Sequence, residues 1–126
     1  MIKIVYFEDE ESIAALAEKK LQKAGYKVLL RVNGVNGFEF VKEEQPDLIL
    51  LDIMMPVVDG FSVLAAIKED EETASIPIII LSALGDKSDV IKGIELGADD
   101  YLLKPFHPKT MLQRVEQALR SAGKLV

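Results

Sequence analysis

The chain predicts an α/β fold: a doubly wound, five-stranded parallel sheet in strand order 2-1-3-4-5, flanked by five helices. Three observations carry that expectation. Short apolar runs alternate five times with longer amphipathic segments. Two of those runs, Leu48 to Leu51 and Ile78 to Leu81, are wholly apolar, as strands buried on both faces require. And 126 residues with 49% hydrophobic content are enough to close one core around a central layer, so a single domain spanning residues 1–126 is expected.

The first strand is Ile2 to Phe7. The first helix, Glu11 to Ala24, sets Ile13, Leu16, Ala17, Leu21 and Ala24 on one stripe and is stopped by Gly25. The second strand, Lys27 to Val32, mixes Lys27 and Arg31 with apolar residues and so suits an edge. A helix near Val35 to Glu44 follows, then the buried strand Asp47 to Leu51, a helix near Phe61 to Asp70 and the buried strand Pro77 to Leu81. After a helix near Lys87 to Leu96 comes the short strand Tyr101 to Leu103, the other edge. The last helix, Pro108 to Ala122, packs Met111, Leu112, Val115 and Leu119. Repeated βα units impose right-handed crossovers and one strand direction. Ligands of such sheets bind outside the carboxyl ends of the strands, beside the point where the winding reverses.

Composition narrows the function. A formal net charge of -6 opposes direct contact with nucleic acid or anionic lipid and favours a cation. With no cysteine there is neither a disulfide framework nor a thiolate ligand or nucleophile. Met1 to Phe7 runs straight into Glu8-Asp9-Glu10-Glu11, which is not a signal-peptide pattern, and the apolar runs are strand-sized. A cytoplasmic location is expected, with no membrane partner.

The residues that end the strands converge on one edge: Glu8 and Asp9 after the first, Asp52 after the third, Ser82 after the fourth and Lys104 after the fifth. Three carboxylates in one pocket repel unless a cation neutralises them, and Mg²⁺, with Mn²⁺ as the alternative, suits oxygen ligands and a phosphoryl group together. Lys104 offers a point charge to a phosphate oxygen, Ser82 a hydroxyl, and the loop amides after Asp52 and Ser82 further donors. Asp52 remains as the nucleophile.

These residues sit in segments that closely resemble, end to end, the receiver domains of bacterial two-component response regulators, whose fold is flavodoxin-like. The matching segments are Lys3 to Glu10, Pro46 to Pro56, Asp59-Gly60, Pro77 to Ala83 and Gly97 to Phe106. The resemblance implies that Asp52 is the phosphoacceptor, Asp9 a direct Mg²⁺ ligand, Glu8 a ligand through water and the Met54 carbonyl the third protein ligand. It implies that Ser82, the Ala83 N–H and Lys104 hold phosphoryl oxygens, that Ser82 and Tyr101 form the switch, and that Lys104-Pro105 is cis. Met54 and Leu84 fall where the family tunes dephosphorylation. The donor would be a sensor histidine kinase or a phosphotransfer protein, and the α4-β5-α5 face would control a partner or effector domain. Lys92, Asp99, Asp100, Arg114 and Glu116 partly match a homodimer pattern on that face. Two positions depart from the commoner pattern, Glu8 for Asp and Ser82 for Thr, and both keep the chemistry.

Each residue alone has a plainer reading. Glu8-Asp9 is a capping turn, Asp59-Gly60 turn and helix-cap chemistry, Lys104 a surface lysine, Tyr101 an edge-strand aromatic, and His107 a solvent-facing or capping residue. Their concentration at one sheet edge favours the joint reading. An Mg²⁺-dependent phosphohydrolase would place a second carboxylate two residues beyond Asp52, where this chain has Met54. A flavin carrier would need a phosphate loop after the first strand, where Glu8 to Glu11 would repel it. A pseudo-receiver that only binds partners would not need its acidic, hydroxyl and lysine positions filled. The chain therefore reads as a phosphoacceptor switch, with only self-phosphorylation and slow self-dephosphorylation as its own chemistry.

Overall fold

The computed structural model describes residues 1–83 and 86–125. Its elements run β1 (Lys3–Phe7), α1 (Glu11–Lys23), β2 (Lys27–Arg31), α2 (Gly37–Glu44), β3 (Leu48–Asp52), α3 (Gly60–Glu69), β4 (Ile78–Ala83), α4 (Lys87–Glu95), β5 (Asp100–Lys104) and α5 (Pro108–Ser121). All strand pairs are parallel and the order is β2-β1-β3-β4-β5, as expected from the alternation of apolar runs.

Strand alternation splits the core in two. Ile4 and Tyr6 of β1, Leu48 and Leu50 of β3, Ile79 and Leu81 of β4 and Leu102 of β5 face α1 and α5, against Leu21, Met111, Val115 and Leu119. The intervening Val5, Phe7, Ile49, Leu51, Ile78 and Ile80 face the other way, against Val41, Val63, Leu64 and Ile67. Burying each such side chain fully contributes about 1.5–3 kcal/mol. No helix among the described residues is long and apolar enough to cross a membrane.

Most boundaries differ from the sequence expectation by a residue or two, β5 running Asp100–Lys104 where Tyr101 to Leu103 was expected, and three of the differences have a local reason. α2 starts at Gly37 because Asn33 Oδ1 accepts from Val35 N at 2.9 Å and Asn36 is left-handed at φ 55, which holds that stretch as a turn. β4 reaches Ala83 because Ser82 and Ala83 still pair with Leu103 and Lys104 of β5. β3 includes Asp52, which pairs with Leu81. Asp52, Ser82, Ala83 and Lys104 thus occupy the last rungs of the ladder.

Two caps aim the loops above them. Asp59 Oδ1 accepts from Ser62 N at 2.9 Å to start α3, and a Cβ on Gly60 would lie 2.5 Å from Ile53 Cα, so only glycine lets that helix begin directly under the loop after Asp52. His107 caps α5 through Nδ1, which accepts from Lys109 N at 3.1 Å, with Pro108 in the first turn.

Candidate functional site

The same alternation that places Tyr6, Leu50 and Leu102 towards α1 and α5 carries the residues two further along, Glu8, Asp52 and Lys104, onto the same face at the carboxyl edge. Glu8 continues the β1 ladder, its N–H donating to Arg31 O at 2.9 Å. Carboxylate oxygens of Glu8, Asp9 and Asp52 lie within 4.8 Å of one another, with Glu8 and Asp52 buried and Asp9 exposed. The lysine spans the two buried ones: Lys104 Nζ donates to Asp52 Oδ2 at 2.7 Å and to Glu8 Oε2 at 2.8 Å, with Glu10 Oε1 at 3.8 Å.

The electrostatics record this crowding. Burial pushes the Glu8 carboxyl up to about 7, against the pull of Lys104, and Asp52 adds to the rise. Burial also works against the Lys104 ammonium, yet its bonds to Asp52 and Glu8 carry it above its ordinary value. Beneath them the buried Tyr6 hydroxyl donates to Glu8 Oε1 at 3.4 Å, and burial followed by the Glu8 charge raises that phenol well above its ordinary value. One ammonium therefore serves a site with room for more positive charge, and the donor set, all carboxylate oxygen, fits a hard divalent cation.

Other donors surround Asp52. Met54 N donates to Asp52 Oδ1 at 2.9 Å, so the backbone of the β3–α3 loop turns in over the carboxylate while the Met54 side chain stands 65% exposed. Ser82 Oγ is buried and finds no hydrogen-bond partner among the described residues. A buried hydroxyl without a partner is costly. Ser82 lies on the α4-facing side of β4 with Ile80, whose partner in β5 is Tyr101. Tyr101 is exposed, its ring centre 5.9 Å from the Arg114 guanidinium. Lys104-Pro105 is cis. Leu84 lies outside the described residues.

The structure thus brings Glu8, Asp9, Asp52 and Lys104 together, with the Met54 N–H on Asp52, while Ser82 lies on the neighbouring strand β4 one residue beyond Leu81, the partner of Asp52. The charges considered for a dimer are engaged within the chain: Asp100 with Arg114, Asp99 with Lys68 and Ile78 N, Glu116 with the Tyr26 hydroxyl, and Lys92 against the Phe61 ring. Sequence reasoning missed two features of the pocket. One is the double span of Lys104, since strand ends show which residues meet but not which carboxylate takes a cation. The other is the phenol of Tyr6, whose only signal was a hydroxyl in a strand that otherwise reads as core.

A doubly wound sheet with an acidic, lysine-bridged carboxyl edge defines a phosphoryl-switch class of module. The chain belongs to the response regulator receiver domain family, whose model matches residues 4–116, and that family places it in two-component signal transduction. It is 44% identical over 125 residues to the DNA-binding dual master transcriptional regulator RpaA of Synechocystis, covering 99% of this chain and 52% of that protein. The chain therefore spans about half the length of that relative. Among solved structures it is similar to the chemotaxis response regulator CheY4 of Vibrio cholerae, with TM-score 0.87, 29% identity, and coverage of 94% of this chain and 98% of that one. It is also similar to the receiver domain of sensor histidine kinase PA1611 from Pseudomonas aeruginosa, which has a magnesium ion in its active-site cleft. There the TM-score is 0.86 and the identity 28%, again over 94% of this chain and 98% of that one.

Proposed function

We propose that Asp52 is the phosphoacceptor of this receiver, loaded from the phosphohistidine of a sensor histidine kinase or phosphotransfer protein. The observation that supports it most is the meeting of Glu8, Asp9 and Asp52 oxygens within 4.8 Å under the Lys104 ammonium. Glu8 through water, Asp9, Asp52 and the Met54 carbonyl would hold Mg²⁺ or Mn²⁺, as the magnesium-bearing neighbour suggests. Once bound, the cation supplies the positive charge that lets a phosphoryl group approach three carboxylates. An Asp52 oxygen attacks phosphorus, the bond from phosphorus to the donor imidazole nitrogen breaks, and that nitrogen leaves with the bonding pair. Lys104 moves a charge-assisted hydrogen bond onto one phosphoryl oxygen, while Ser82 Oγ and the Ala83 N–H donate to others.

Ser82, without a partner among the described residues, then gains one, and Tyr101, on the same α4-facing side, turns into the space that opens. That couples a local charge to the packing of the α4-β5-α5 face, which a partner or effector domain reads. A homodimer on this face would require Asp100 and Arg114 to exchange their intrachain pair for one with a second copy. By the resemblance, Met54 and Leu84 hold the positions that tune dephosphorylation, and since neither apolar side chain can orient a hydrolytic water, the adduct persists. Met54→Asn with Leu84→Glu should shorten its lifetime once donor is removed, and an unchanged decay would refute the role of these two positions.

Mass analysis after incubation with Mg²⁺ and acetyl phosphate tests the whole reading. Native protein gains one alkali-labile phosphoryl group and Asp52→Asn gains none. Labelling of Asp52→Asn to the native extent, or labelling undiminished by chelator, contradicts it.

A further inference from the structure

Tyr6 lies wholly inside the core, packed among Ile4, Leu48 and Leu50 on the α1 and α5 side. A phenylalanine would fill that volume equally well, and a buried hydroxyl is costly unless paired. Its partner is Glu8 Oε1, at 3.4 Å. The other Glu8 oxygen is taken by Lys104 Nζ at 2.8 Å and by Glu10 N at 3.4 Å, which leaves Tyr6 as the donor to Oε1 among the described residues. Residues two apart on one strand face stand ~7 Å apart along the strand. A tyrosine and a glutamate together bridge that gap, whereas aspartate, one methylene shorter, falls short of the phenol.

We propose that Tyr6 is a positioning residue of the cation site, its hydroxyl fixing the Glu8 carboxylate from below so that this longer acidic residue serves where a shorter one would otherwise stand. The inference rests on the acidic edge being a cation site. Hydrogen bonds behind a ligand orient it, and their loss lowers metal affinity by about 10- to 100-fold. With Glu8 and the water through which it would reach the cation both standing between Tyr6 and the metal, the lower end of that range applies.

The test is Mn²⁺ binding to the intact chain, read from the paramagnetic resonance signal of the free ion, so that no phosphorylation is involved. Tyr6→Phe should bind about tenfold more weakly than native, while Tyr26→Phe, which removes a phenol bonded to Glu116 on the α1–α5 side, should bind as native does. In a Glu8→Asp background the Tyr6→Phe change should lose most of its effect, because the acidic group no longer reaches the phenol. Equal Mn²⁺ affinity of native and Tyr6→Phe overturns the proposal while leaving the cation site intact. Absence of Mn²⁺ binding by native protein overturns the site reading and Tyr6 with it. Should Tyr6→Phe fail to fold, the native protein decides: on Mg²⁺ titration the Tyr6 Cζ resonance should move and that of Tyr26 stay, and a static Tyr6 resonance refutes the role.

Discussion

The two ends of the sheet carry the same kinds of residue and treat them in opposite ways. At the amino end, before β3 and around the start of β5, each aspartate is matched. Asp47 Oδ2 accepts from Lys3 N at 2.8 Å and its other oxygen faces Lys124, Asp99 Oδ2 accepts from Ile78 N at 2.8 Å with Lys68 alongside, and Asp100 grips Arg114. Although burial opposes it, these bonds hold the Asp47 and Asp100 carboxyls below their ordinary value. At the carboxyl end Glu8 and Asp52 share Lys104 with Glu10 nearby, Glu8 is pushed up, and the buried Ser82 hydroxyl has no partner among the described residues. A satisfied end fastens the fold, and an unsatisfied one is available for chemistry.

The sharpest way to break this contrast is to delete a lysine at each end, since Lys104 and Lys68 side chains are equally shielded at 15% exposure. Lys104→Ala should still bind Mg²⁺ yet lose the spectral response to beryllofluoride, because on the proposed reading its ammonium would contact phosphate rather than metal. Lys68→Ala should keep that response and lose roughly 2 kcal/mol of stability, since the carbonyls of Ala74 and Ile76 lose their donor. A normal beryllofluoride response in Lys104→Ala, or a lost one in Lys68→Ala, would collapse the distinction.

pH sharpens it further. Glu8 has a carboxyl raised from 4.5 to about 7, so its contribution is complete below 4.5 and is lost as pH rises through about 7. In chelator, urea melts of native protein should therefore show stability falling by on the order of 1 kcal/mol or more across that window. Glu8→Gln should flatten the fall. Asp47 and Asp100 have lowered carboxyls, so their contribution is present above the ordinary 3.8 and is lost as pH falls below it. Asp100→Asn should blunt only the acid limb, and a change in its neutral limb instead would contradict the assignment of the two ends.

The smallest expected effect is at a cap near the site but outside its chemistry. Asp59→Ala should cost about 1 kcal/mol, the usual worth of such a cap, and leave phosphoryl labelling intact. Abolished labelling in a folded Asp59→Ala would show that the β3–α3 loop does more than position Met54.

The element order, the edge strands and the site edge were legible because strand period and turn residues repeat regularly along this chain. Asp59 and His107 cap as their types and positions predict. The turn at Asn36 was not legible, since the left-handed asparagine before Gly37 goes with a bond that Val35 N donates to the Asn33 side chain. Nor was the intrachain pairing of Asp100 with Arg114, because a sequence shows charges on one face without showing whether they spend themselves within the chain. Tyr6 hid for the opposite reason: an aromatic in a buried strand looks like packing until its hydroxyl is located.

Backbone amide spectra of the intact chain, recorded before and after Mg²⁺ with beryllofluoride, test the central contrast most directly. Large shifts should appear at Met54, Ser82, Ala83 and Lys104, with those of Lys3, Asp47 and Lys124 at the opposite end unmoved. Spectra unchanged at the carboxyl edge, or shifted chiefly around Lys3 and Asp47, would contradict the account.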